Sequence, residues 1–556
     1  MHIAFALTAL LLLRIPVAAA YEPTAARRGM VVSSEPHASQ AGVEILRKGG
    51  NAVDAAVAVG FVLAVTYPFA GNIGGGGFML IRMAGGRSVV VDYREEAPGA
   101  ASRNMYLDSH GDIIPDASIV GARSTGTPGT VAGLALAEQK YGKLGLARVM
   151  SPAIRIAEDG FPVSYWLSQS LLDHQPLLSK FPNSRAIYLH GGHPYQPGEI
   201  FKQPELARTL REIAQRGPSA FYRGGVARDI VETENKLGGI MTLTDLAHYQ
   251  AKLRQPLQGH FRGYTILTVP PPSSGGVALI EMLNILDPLD LGEPDSYDSM
   301  HLIIEAQRRA YADRSRYLGD ADFVPVPVAG LDDPAYAAKL RQGILASKPD
   351  APVAAGQPAG YESPNTTHFS VVDAAGDAVS NTYTLNNGYG SGVTVDHAGF
   401  LLNDEMDDFT SKPGAPNMFG LIQGEANAIA PFKRPLSSMT PSIVLENNAP
   451  RLVLGSPGGG TIINTVLEVI LNSLVYKMDI LRAVAEPRFH NQWMPDKVFL
   501  ERNGFSADTV EKLRAAGYNL EWVDRMGECE AIEIDPKTGW RFGAADPRGG
   551  GEAVGY

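Results

Sequence analysis

The chain has very little cysteine and no excess of basic charge. Cys529 is the only cysteine among 556 residues, so neither an internal disulfide nor a Cys-x-x-Cys metal site can form. Its segment, RMGECEAIEI, is typical of a strand, and we interpret Cys529 as a structural thiol. Lys and Arg number 48 against 59 Asp and Glu, which gives a net charge of −11. Because no large basic field is present, nucleic acid is not expected as a partner.

Several common catalytic and cofactor motifs are also missing. No Gly-x-Ser-x-Gly elbow, His-Glu-x-x-His motif or Gly-Lys-Ser/Thr phosphate loop occurs. The glycine clusters at 74–77 and 458–460 lack the dinucleotide-binding spacing, and the 12 histidines show no ligand spacing. His190 and His193 have no third partner nearby, so we interpret them as part of a surface loop. None of these patterns predicts a metal site or a nucleotide cofactor.

No apolar run is long enough to anchor the chain in a bilayer as a spanning helix. The run at residues 3–13 is too short, and it is followed by a proline and three alanines. This order is typical of a signal peptide over residues 1–20, with cleavage before Tyr21. The next most apolar stretch, residues 52–65, is short and contains Asp54, so it predicts a buried helix. We expect an exported protein, periplasmic or secreted, without a membrane span.

The composition indicates a folded, loop-rich protein. Hydrophobic residues make up 45% of the chain and charged residues 19%, with 60 glycines and 39 prolines. Residues 131–345 are predicted to be mostly helical with proline-rich joints. Residues 348–365 have the composition of a flexible linker. Strands are predicted after it, beginning with residues 366–372 and 378–385, so a helix-rich part precedes a strand-rich part.

A linker that runs directly into a strand beginning Thr366-Thr367-His368 suggests an N-terminal nucleophile. A threonine hydroxyl is a weak nucleophile unless a base lies beside it. Cleavage before Thr366 would make its own α-amino group that base, and such a group titrates near pH 8. Taken alone, however, the motif also fits an ordinary threonine-rich strand.

Nine segments, one of which contains this threonine motif, decide between these interpretations. In order along the chain they are AGNIGGGGFML, DYREEAP at 92–98, NTTHFSVVD at 365–373, TYTLNNGYGSG at 382–392, LLNDEMDDF at 401–409, KRPLSSMTPS at 433–442, GSPGGG at 455–460, PRFHNQW at 487–493 and DPRGGGEAVGY at 546–556. Together they resemble the γ-glutamyltranspeptidase family, a group of N-terminal-nucleophile hydrolases. The resemblance runs through nearly the whole mature chain.

The resemblance implies an α/β (α+β) fold, a four-layer αββα sandwich formed by two autoprocessed chains. A large subunit would comprise residues 21–365 and a small catalytic subunit residues 366–556, intertwined as a heterodimer from one precursor. The scissile bond would be Asn365–Thr366. Thr384 resembles the second threonine of the family's dyad. Asn386 lies two residues further on, and strand alternation would point it to the same face.

The same resemblance assigns the substrate contacts. The cluster from Asp404 to Asp408 could be a solvated loop or a Ca²⁺ site, but the family pattern gives Glu405 and Asp408 to the α-ammonium of a γ-glutamyl group. Asp404 and Asp407 are left as structural. Arg94 would grip a carboxylate at the opposite end of the substrate, assisted by Ser437 and Ser438. Without the motif, Arg94 could equally form a buried ion pair.

Two further elements complete the expected site. Gly458 and Gly459 would present backbone N–H groups as an oxyanion hole, although a plain strand-to-helix turn fits the same residues. Residues 413–424 match the family's lid loop. This chain has Phe419 where many bacterial relatives have tyrosine, so we expect lid closure to rest on apolar contact alone.

The implied activity is γ-glutamyl transfer and glutathione hydrolysis through a γ-glutamyl-Thr366 ester, with water, an amino acid or a dipeptide as acceptor. The substrates would be small molecules, and no metal or organic cofactor is required. Two alternatives remain. One is a related acylase that removes glutaryl side chains from β-lactams, against which the Glu405 and Asp408 pair argues. The other is a periplasmic binder of γ-glutamyl compounds that never cleaves itself.

Overall fold

A computed structural model describes residues 22–346, residue 353 and residues 366–556. The predicted signal peptide, nearly all of the predicted linker, and Asn365 lie outside these residues. No helix in the described ranges has the length and apolar character that crossing a membrane requires.

The helices are distributed over both halves of the chain. They are α1 (Pro36–Arg47), α2 (Ala52–Thr66), α3 (Thr130–Tyr141), α4 (Leu146–Asp159), α5 (Tyr165–Asp173), α6 (Gln175–Leu178), α7 (Pro182–Tyr188), α8 (Pro204–Arg216), α9 (Ser219–Arg223), α10 (Gly225–Lys236), α11 (Leu243–His248), α12 (Gly275–Leu286), α13 (Tyr297–Tyr317), α14 (Val328–Leu331), α15 (Pro334–Ala346), α16 (Ile462–Leu474), α17 (Ile480–Ala485) and α18 (Ala507–Ala515).

The strands are β1 (Thr24–Ala26), β2 (Met30–Ser33), β3 (Gly76–Arg82), β4 (Ser88–Tyr93), β5 (Phe161–Pro162), β6 (Leu189–His190), β7 (His193–Pro194), β8 (Ile200–Phe201), β9 (Lys252–Arg254), β10 (Leu257–Phe261), β11 (Tyr264–Thr268), β12 (Thr366–Val372), β13 (Ala378–Thr384), β14 (Ser442–Glu446), β15 (Ala449–Leu454), β16 (Phe489–His490), β17 (Val498–Glu501), β18 (Leu520–Val523), β19 (Ala531–Ile534), β20 (Arg541–Ala544) and β21 (Glu552–Gly555).

Two seven-stranded antiparallel sheets form the centre of the molecule. The first, here called the nucleophile sheet, has the order β21-β2-β12-β13-β3-β4-β9, and the second has the order β1-β20-β19-β15-β14-β11-β10. Both sheets take strands from before and after Thr366. Thr366 pairs with Thr384 across β12 and β13, and Thr384 pairs with Gly76 on β3. Strand β12 is therefore internal to the sheet, although β2 pairs with it only from Phe369 onward.

The two sheets face each other between two helical layers. On β3, Phe78 and Leu80 pack against residues of the second sheet such as Ile443 and Val453. The alternate residues Met79 and Ile81 pack with the layer that contains α1 to α4. The outer face of the second sheet is covered by α12, α13, α16 and α17. The predicted αββα sandwich is confirmed.

The predicted contrast between a helix-rich and a strand-rich part is too simple. Strands β9 to β11 lie inside the stretch predicted as mostly helical. They are short, and β10 carries Gly259 and His260, so their alternation is weak. Cys529 is buried, but it precedes β19 by two residues and is not itself in a strand. Burial raises the pKa of its thiol, as expected for a structural cysteine.

Candidate active site

The predicted site residues converge on one small cavity of about 20 Å³. Of the residues predicted for the site, Gly458 does not line it and Asn365 is outside the described residues. The residues that line the cavity are Arg94, Thr366, Thr384, Asn386, Glu405, Asp408, Phe419, Leu421, Ser437, Ser438, Met439, Gly459 and Ile462. Residues more than 300 positions apart in sequence thus meet at the end of β12.

Thr366 occupies the first position of β12, where β13 pairs with it on one side, while the pairing of β12 with β2 begins only at Phe369. Its hydroxyl lies 3.4 Å from that of Thr384, its partner in the antiparallel register. The Thr384 hydroxyl oxygen also accepts the backbone N–H of Asn386 at 2.8 Å. Register alone therefore places the two predicted threonines side by side.

Asn386 lines the cavity for a different reason from the one predicted. Strand β13 ends at Thr384, and Asn386 has a left-handed backbone with φ of 78°. Its side-chain amide donates to the carbonyl oxygen of Asp404 at 3.2 Å. The argument from strand alternation is wrong, because a turn and not a strand points Asn386 toward the site.

His368 lies two residues along β12 from Thr366, yet it is a poor candidate for the base. Its ring nitrogens are hydrogen-bonded to the hydroxyls of Thr382 at 2.8 Å and Ser370 at 3.1 Å. Burial lowers the pKa of His368 to about 3, so it is neutral at physiological pH. Its imidazole fills the space above Gly455, where an added Cβ would lie 2.4 Å from the ring.

Arg94 forms the centre of a buried charged cluster directly after β4. Its two terminal nitrogens donate to Glu405 and Asp408, and its Nε donates to the carbonyl oxygen of Pro435 at 3.1 Å. Glu95 lies 3.8 Å from the same guanidinium. Burial raises the pKa of Glu405 well above its ordinary value and that of Glu95 to about 7. Glu95 was not among the predicted site residues, although it lies within the quoted motif.

This cluster corrects the predicted division of the substrate into two ends. Arg94 was assigned to one end of the substrate, and Glu405 and Asp408 to the other, but the three side chains are in contact. An α-amino acid carries its carboxylate and its ammonium on the same carbon. Groups that were to recognise both would have to lie within a few ångströms of each other, and these three side chains do so.

Ser437 and Ser438 also line the cavity, directly after Leu436, whose carbonyl oxygen accepts from Arg94. The Ser437 oxygen accepts the backbone N–H of Met439 at 3.0 Å. The Ser438 oxygen accepts from Nη2 of Arg314, on α13, at 3.0 Å. Sequence reasoning missed Arg314, because nothing in the pattern of α13 distinguishes it from the other arginines of that helix.

The glycine turn before α16 requires residues without a side chain. Gly458 and Gly459 have φ angles of 135° and 54°. A Cβ on Gly459 would lie 2.7 Å from the ring of Phe419. The hydroxyl and amide of Thr461 both donate to the Gly458 carbonyl. Among the described residues, no acceptor takes the N–H of either glycine.

The loop at residues 413–424 covers the cavity, but its closure does not rest on apolar contact alone. Asn417 donates to Asp408 at 3.0 Å, and the N–H of Met418 donates to Asp407 at 2.9 Å. The carbonyl oxygen of Phe419 accepts from Gln492 at 3.2 Å. The prediction of purely apolar closure is therefore wrong. It considered only the ring of Phe419 and not the backbone on either side.

A second cavity, of about 130 Å³, opens on the other side of Thr366. Arg525, Glu528, Trp166 and Asp173 are among its lining residues. Burial and the nearby carboxylate of Asp546 raise the pKa of Glu528 to about 7. Thr366 thus lines two separate cavities, one with several charged residues and one with polar and aromatic residues.

Two other features do not contribute to this site. A cavity of about 840 Å³ between α3, α9 and α11 contains none of the predicted site residues. His190 and His193 lie in the hairpin of β6 and β7, and His190 contacts Glu199 at 3.4 Å. Within the described ranges, no group of three or more His, Cys, Asp or Glu side chains is arranged to hold a metal ion.

An αββα sandwich in which an internal strand begins at a threonine beside a polar cavity is typical of the N-terminal-nucleophile hydrolases. Within that class, the family model described as Gamma-glutamyltranspeptidase matches residues 38–556. The chain belongs to the γ-glutamyltranspeptidase family and is an enzyme of that family.

Comparison with individual proteins agrees with this assignment. The chain is 46% identical to a glutathione hydrolase proenzyme of Escherichia coli K12, over 95% of this chain and 92% of the relative. It is similar to a Helicobacter pylori γ-glutamyltranspeptidase structure with 46% identity and a TM-score of 0.56, over 57% of this chain and 91% of the solved one. A cephalosporin acylase from Bacillus halodurans superposes with a TM-score of 0.85 over 99% of both chains, at 26% identity.

Proposed function

We propose that the protein is an autoprocessing γ-glutamyltransferase that also hydrolyses glutathione. The observation that carries this proposal is the cavity that joins Thr366 to the cluster of Arg94, Glu405 and Asp408. A hydroxyl nucleophile and a buried cradle for an α-amino acid head group lie in one space. A γ-glutamyl amide has the matching arrangement, with its reactive carbonyl three carbons from that head group.

The proposed reaction begins with cleavage of the Asn365–Thr366 bond, which frees the α-amino group of Thr366. That amino group takes the hydroxyl proton while the Thr366 oxygen attacks the γ-carbonyl carbon of the donor. The N–H groups of Gly458 and Gly459 stabilise the oxyanion. The C–N bond then breaks, the proton passes to the leaving amine, and a γ-glutamyl ester of Thr366 remains.

Water or an acceptor amine attacks this ester in the second half of the reaction. The attacking group gives a proton to the α-amino group, which returns it to the Thr366 oxygen as the ester bond breaks. Water yields glutamate, and an amino acid or dipeptide yields a new γ-glutamyl amide. The second cavity beside Thr366 offers space for the leaving amine and the acceptor. No step calls on a metal or an organic cofactor.

Recognition of the donor follows from charge and hydrogen-bond complementarity. Arg94 and the hydroxyls of Ser437 and Ser438 would bind the α-carboxylate. Glu405, Asp408 and the side-chain oxygen of Asn386 would accept the donors of the α-ammonium. A glutaryl group lacks that ammonium, so Arg94 would have to compensate Glu405 and Asp408 as well as the carboxylate of the donor. This argument favours the transferase over the acylase activity.

Two observations support autoprocessing into residues 21–365 and 366–556. The E. coli relative is named a proenzyme. The match covers 91% of the solved H. pylori polypeptide but only 57% of this chain. That polypeptide therefore corresponds to a part of this chain and not to its whole length. We also propose export, with removal of residues 1–20 and a periplasmic or secreted location.

The test is a denaturing gel combined with a kinetic assay. The purified protein should run as two chains, and the smaller one should begin Thr-Thr-His-Phe-Ser. Thr366→Ala should remain a single inactive chain, whereas Thr367→Ser, a change at the adjacent buried position, should still be processed. Glutathione and a glutaryl amide should be compared as donors. A single active chain would refute autoprocessing, and preference for the glutaryl donor would favour the acylase alternative.

A further inference from the structure

Arg314 is a buried guanidinium without a carboxylate partner. It lies on α13 with 2% of its surface exposed. Its Nε donates to the Ser274 hydroxyl at 2.9 Å and its Nη2 to the Ser438 hydroxyl at 3.0 Å. Within the described residues no Asp or Glu oxygen lies within 4.0 Å of it. Arg94, Arg434 and Arg488, which are equally buried, each have an acidic partner.

Such a residue is costly to keep in a protein interior. Two hydroxyls satisfy hydrogen bonds but do not neutralise the charge, and a buried charge is normally paired. Burial lowers the pKa of Arg314 and Arg94 acts in the same direction, whereas Tyr311 and Asp408 oppose this effect without forming an ion pair with it. The positive charge of Arg314 therefore has no carboxylate paired with it among the described residues, and an anion bound in the cavity could balance it.

Both arms of Arg314 lead to the serine wall of the active-site cavity. Nη2 reaches Ser438 directly. Nε reaches the Ser274 hydroxyl, which donates to the Ser437 carbonyl at 2.7 Å, and the N–H of Ser274 donates to the same carbonyl at 2.8 Å. One guanidinium thus holds both serines that line the cavity.

The direction of these bonds determines what Ser438 can do. Its oxygen accepts from Arg314, so its own hydrogen is free to point elsewhere. A hydroxyl that accepts a charge-assisted hydrogen bond becomes a stronger donor. Ser438 lines the same cavity as Arg94 and Thr366.

We propose that Arg314 is a positioning residue for the α-carboxylate of the donor substrate. It fixes the Ser437–Ser438 segment, orients the Ser438 hydrogen toward the carboxylate, and contributes the unbalanced positive charge that this anion completes. The inference rests on the proposed γ-glutamyl specificity. In this proposal Arg94 contacts the α-carboxylate directly, and Arg314 is a second arginine that supports its recognition without contacting the substrate.

The test compares two chromogenic anilide donors that differ only in the α-carboxylate, γ-glutamyl anilide and 4-aminobutyryl anilide. In Arg314→Gln, kcat/KM for the γ-glutamyl donor should fall at least tenfold, mainly through KM, with kcat changed less than threefold. For the 4-aminobutyryl donor, kcat/KM should change less than twofold. Arg314→Lys should recover part of the loss, because it restores the charge but not the two-armed geometry.

Control variants separate positioning from structural damage. Arg308→Gln removes another buried arginine of α13, one that pairs with Glu305 and is not among the residues that line the cavity. It should alter thermal stability without changing the ratio of the two donors. In a Ser438→Ala background, Arg314→Gln should lower kcat/KM for the γ-glutamyl donor by a smaller factor than in the wild type, because the two residues act on one contact.

The outcomes are distinguishable from failure of the proposed function. If Arg314→Gln lowers kcat/KM for both donors equally, or for neither, the positioning role is refuted. If it does not fold, the same comparison in Arg314→Lys decides. If the wild-type protein fails to prefer the γ-glutamyl donor at all, the proposed function itself is wrong.

Discussion

Adding one methyl group at Gly459 should disable the enzyme by two independent effects. The φ angle of 54° is left-handed, which costs a non-glycine residue about 1–2 kcal/mol. The new Cβ would lie 2.7 Å from one carbon of the Phe419 ring and 3.1 Å from two more. Ordinary carbon contacts are near 3.5–4.0 Å, so the ring or the turn must move, at about 1–3 kcal/mol.

The sum is about 2–5 kcal/mol, and if half of it affects the reacting geometry, the loss is about 5- to 70-fold. We expect Gly459→Ala to lower kcat for a γ-glutamyl anilide by that factor, because the turn that moves carries the proposed oxyanion donors. Gly414→Ala is the matched control. Gly414 also has a left-handed φ, of 80°, but nothing lies within 4 Å of its would-be Cβ.

A second variant separates the clash from the backbone strain. Phe419→Leu in the Gly459→Ala background removes the ring atoms and should restore part of the lost kcat. Steady-state kinetics of the single and double variants, with thermal denaturation to check folding, provide the measurement. An activity of Gly459→Ala within threefold of the wild type would refute the close seating of Phe419 on this turn.

Three further outcomes are expected. Asp408→Asn and Arg94→Ala should each raise KM for γ-glutamyl donors at least tenfold, and an unchanged KM in either variant would contradict its assignment. Arg94→Ala should also lower the thermal midpoint, because buried carboxylates left without their partner destabilise the fold by about 3–5 kcal/mol. Phe419→Tyr should raise the ratio of γ-glutamyl-glycylglycine to glutamate, because an added polar contact closes the lid more firmly against water; an equal or lower ratio would argue against a gate. Burial raises the pKa of Glu234 from 4.5 to about 8, so the folded protein holds a proton that the unfolded chain has lost, and the free energy of unfolding falls between these pH values. Glu234→Gln should therefore narrow the difference between thermal midpoints at pH 5 and pH 8, and an unchanged difference would count against this.

The nucleophile strands were predictable because their information is local. Residues 366–372 alternate, a turn follows, and the next strand returns in register, so β12 has the predicted bounds and β13 differs from them by one residue. The contact between Thr366 and Thr384 then follows from the antiparallel pairing. The family motifs extended this to the charged residues of the cavity.

The errors concern contacts made across long sequence separations. Arg94 meets acids more than 300 residues away, and no local pattern reports whether they lie beside it or opposite. The hydrogen bonds that the backbone and side chains of residues 413–424 make could likewise not be predicted from the sequence. Arg314 was missed for the same reason, since its significance comes from its bond to Ser438 and from the lack, among the described residues, of a carboxylate within 4.0 Å.

The interleaving of the nucleophile sheet has a consequence for the molecularity of folding. Strand β21, at the end of the chain, pairs with β2 near its start, and both β2 and β13 flank β12. In an uncut precursor these strands are tethered, so the sheet closes in a unimolecular reaction. After cleavage at Asn365–Thr366 the same sheet would consist of two polypeptides, and its reassembly would be second order. The two polypeptides of a denatured mature enzyme would then no longer be joined by the peptide bond that was present when the precursor folded. Recovery of activity would therefore depend on protein concentration.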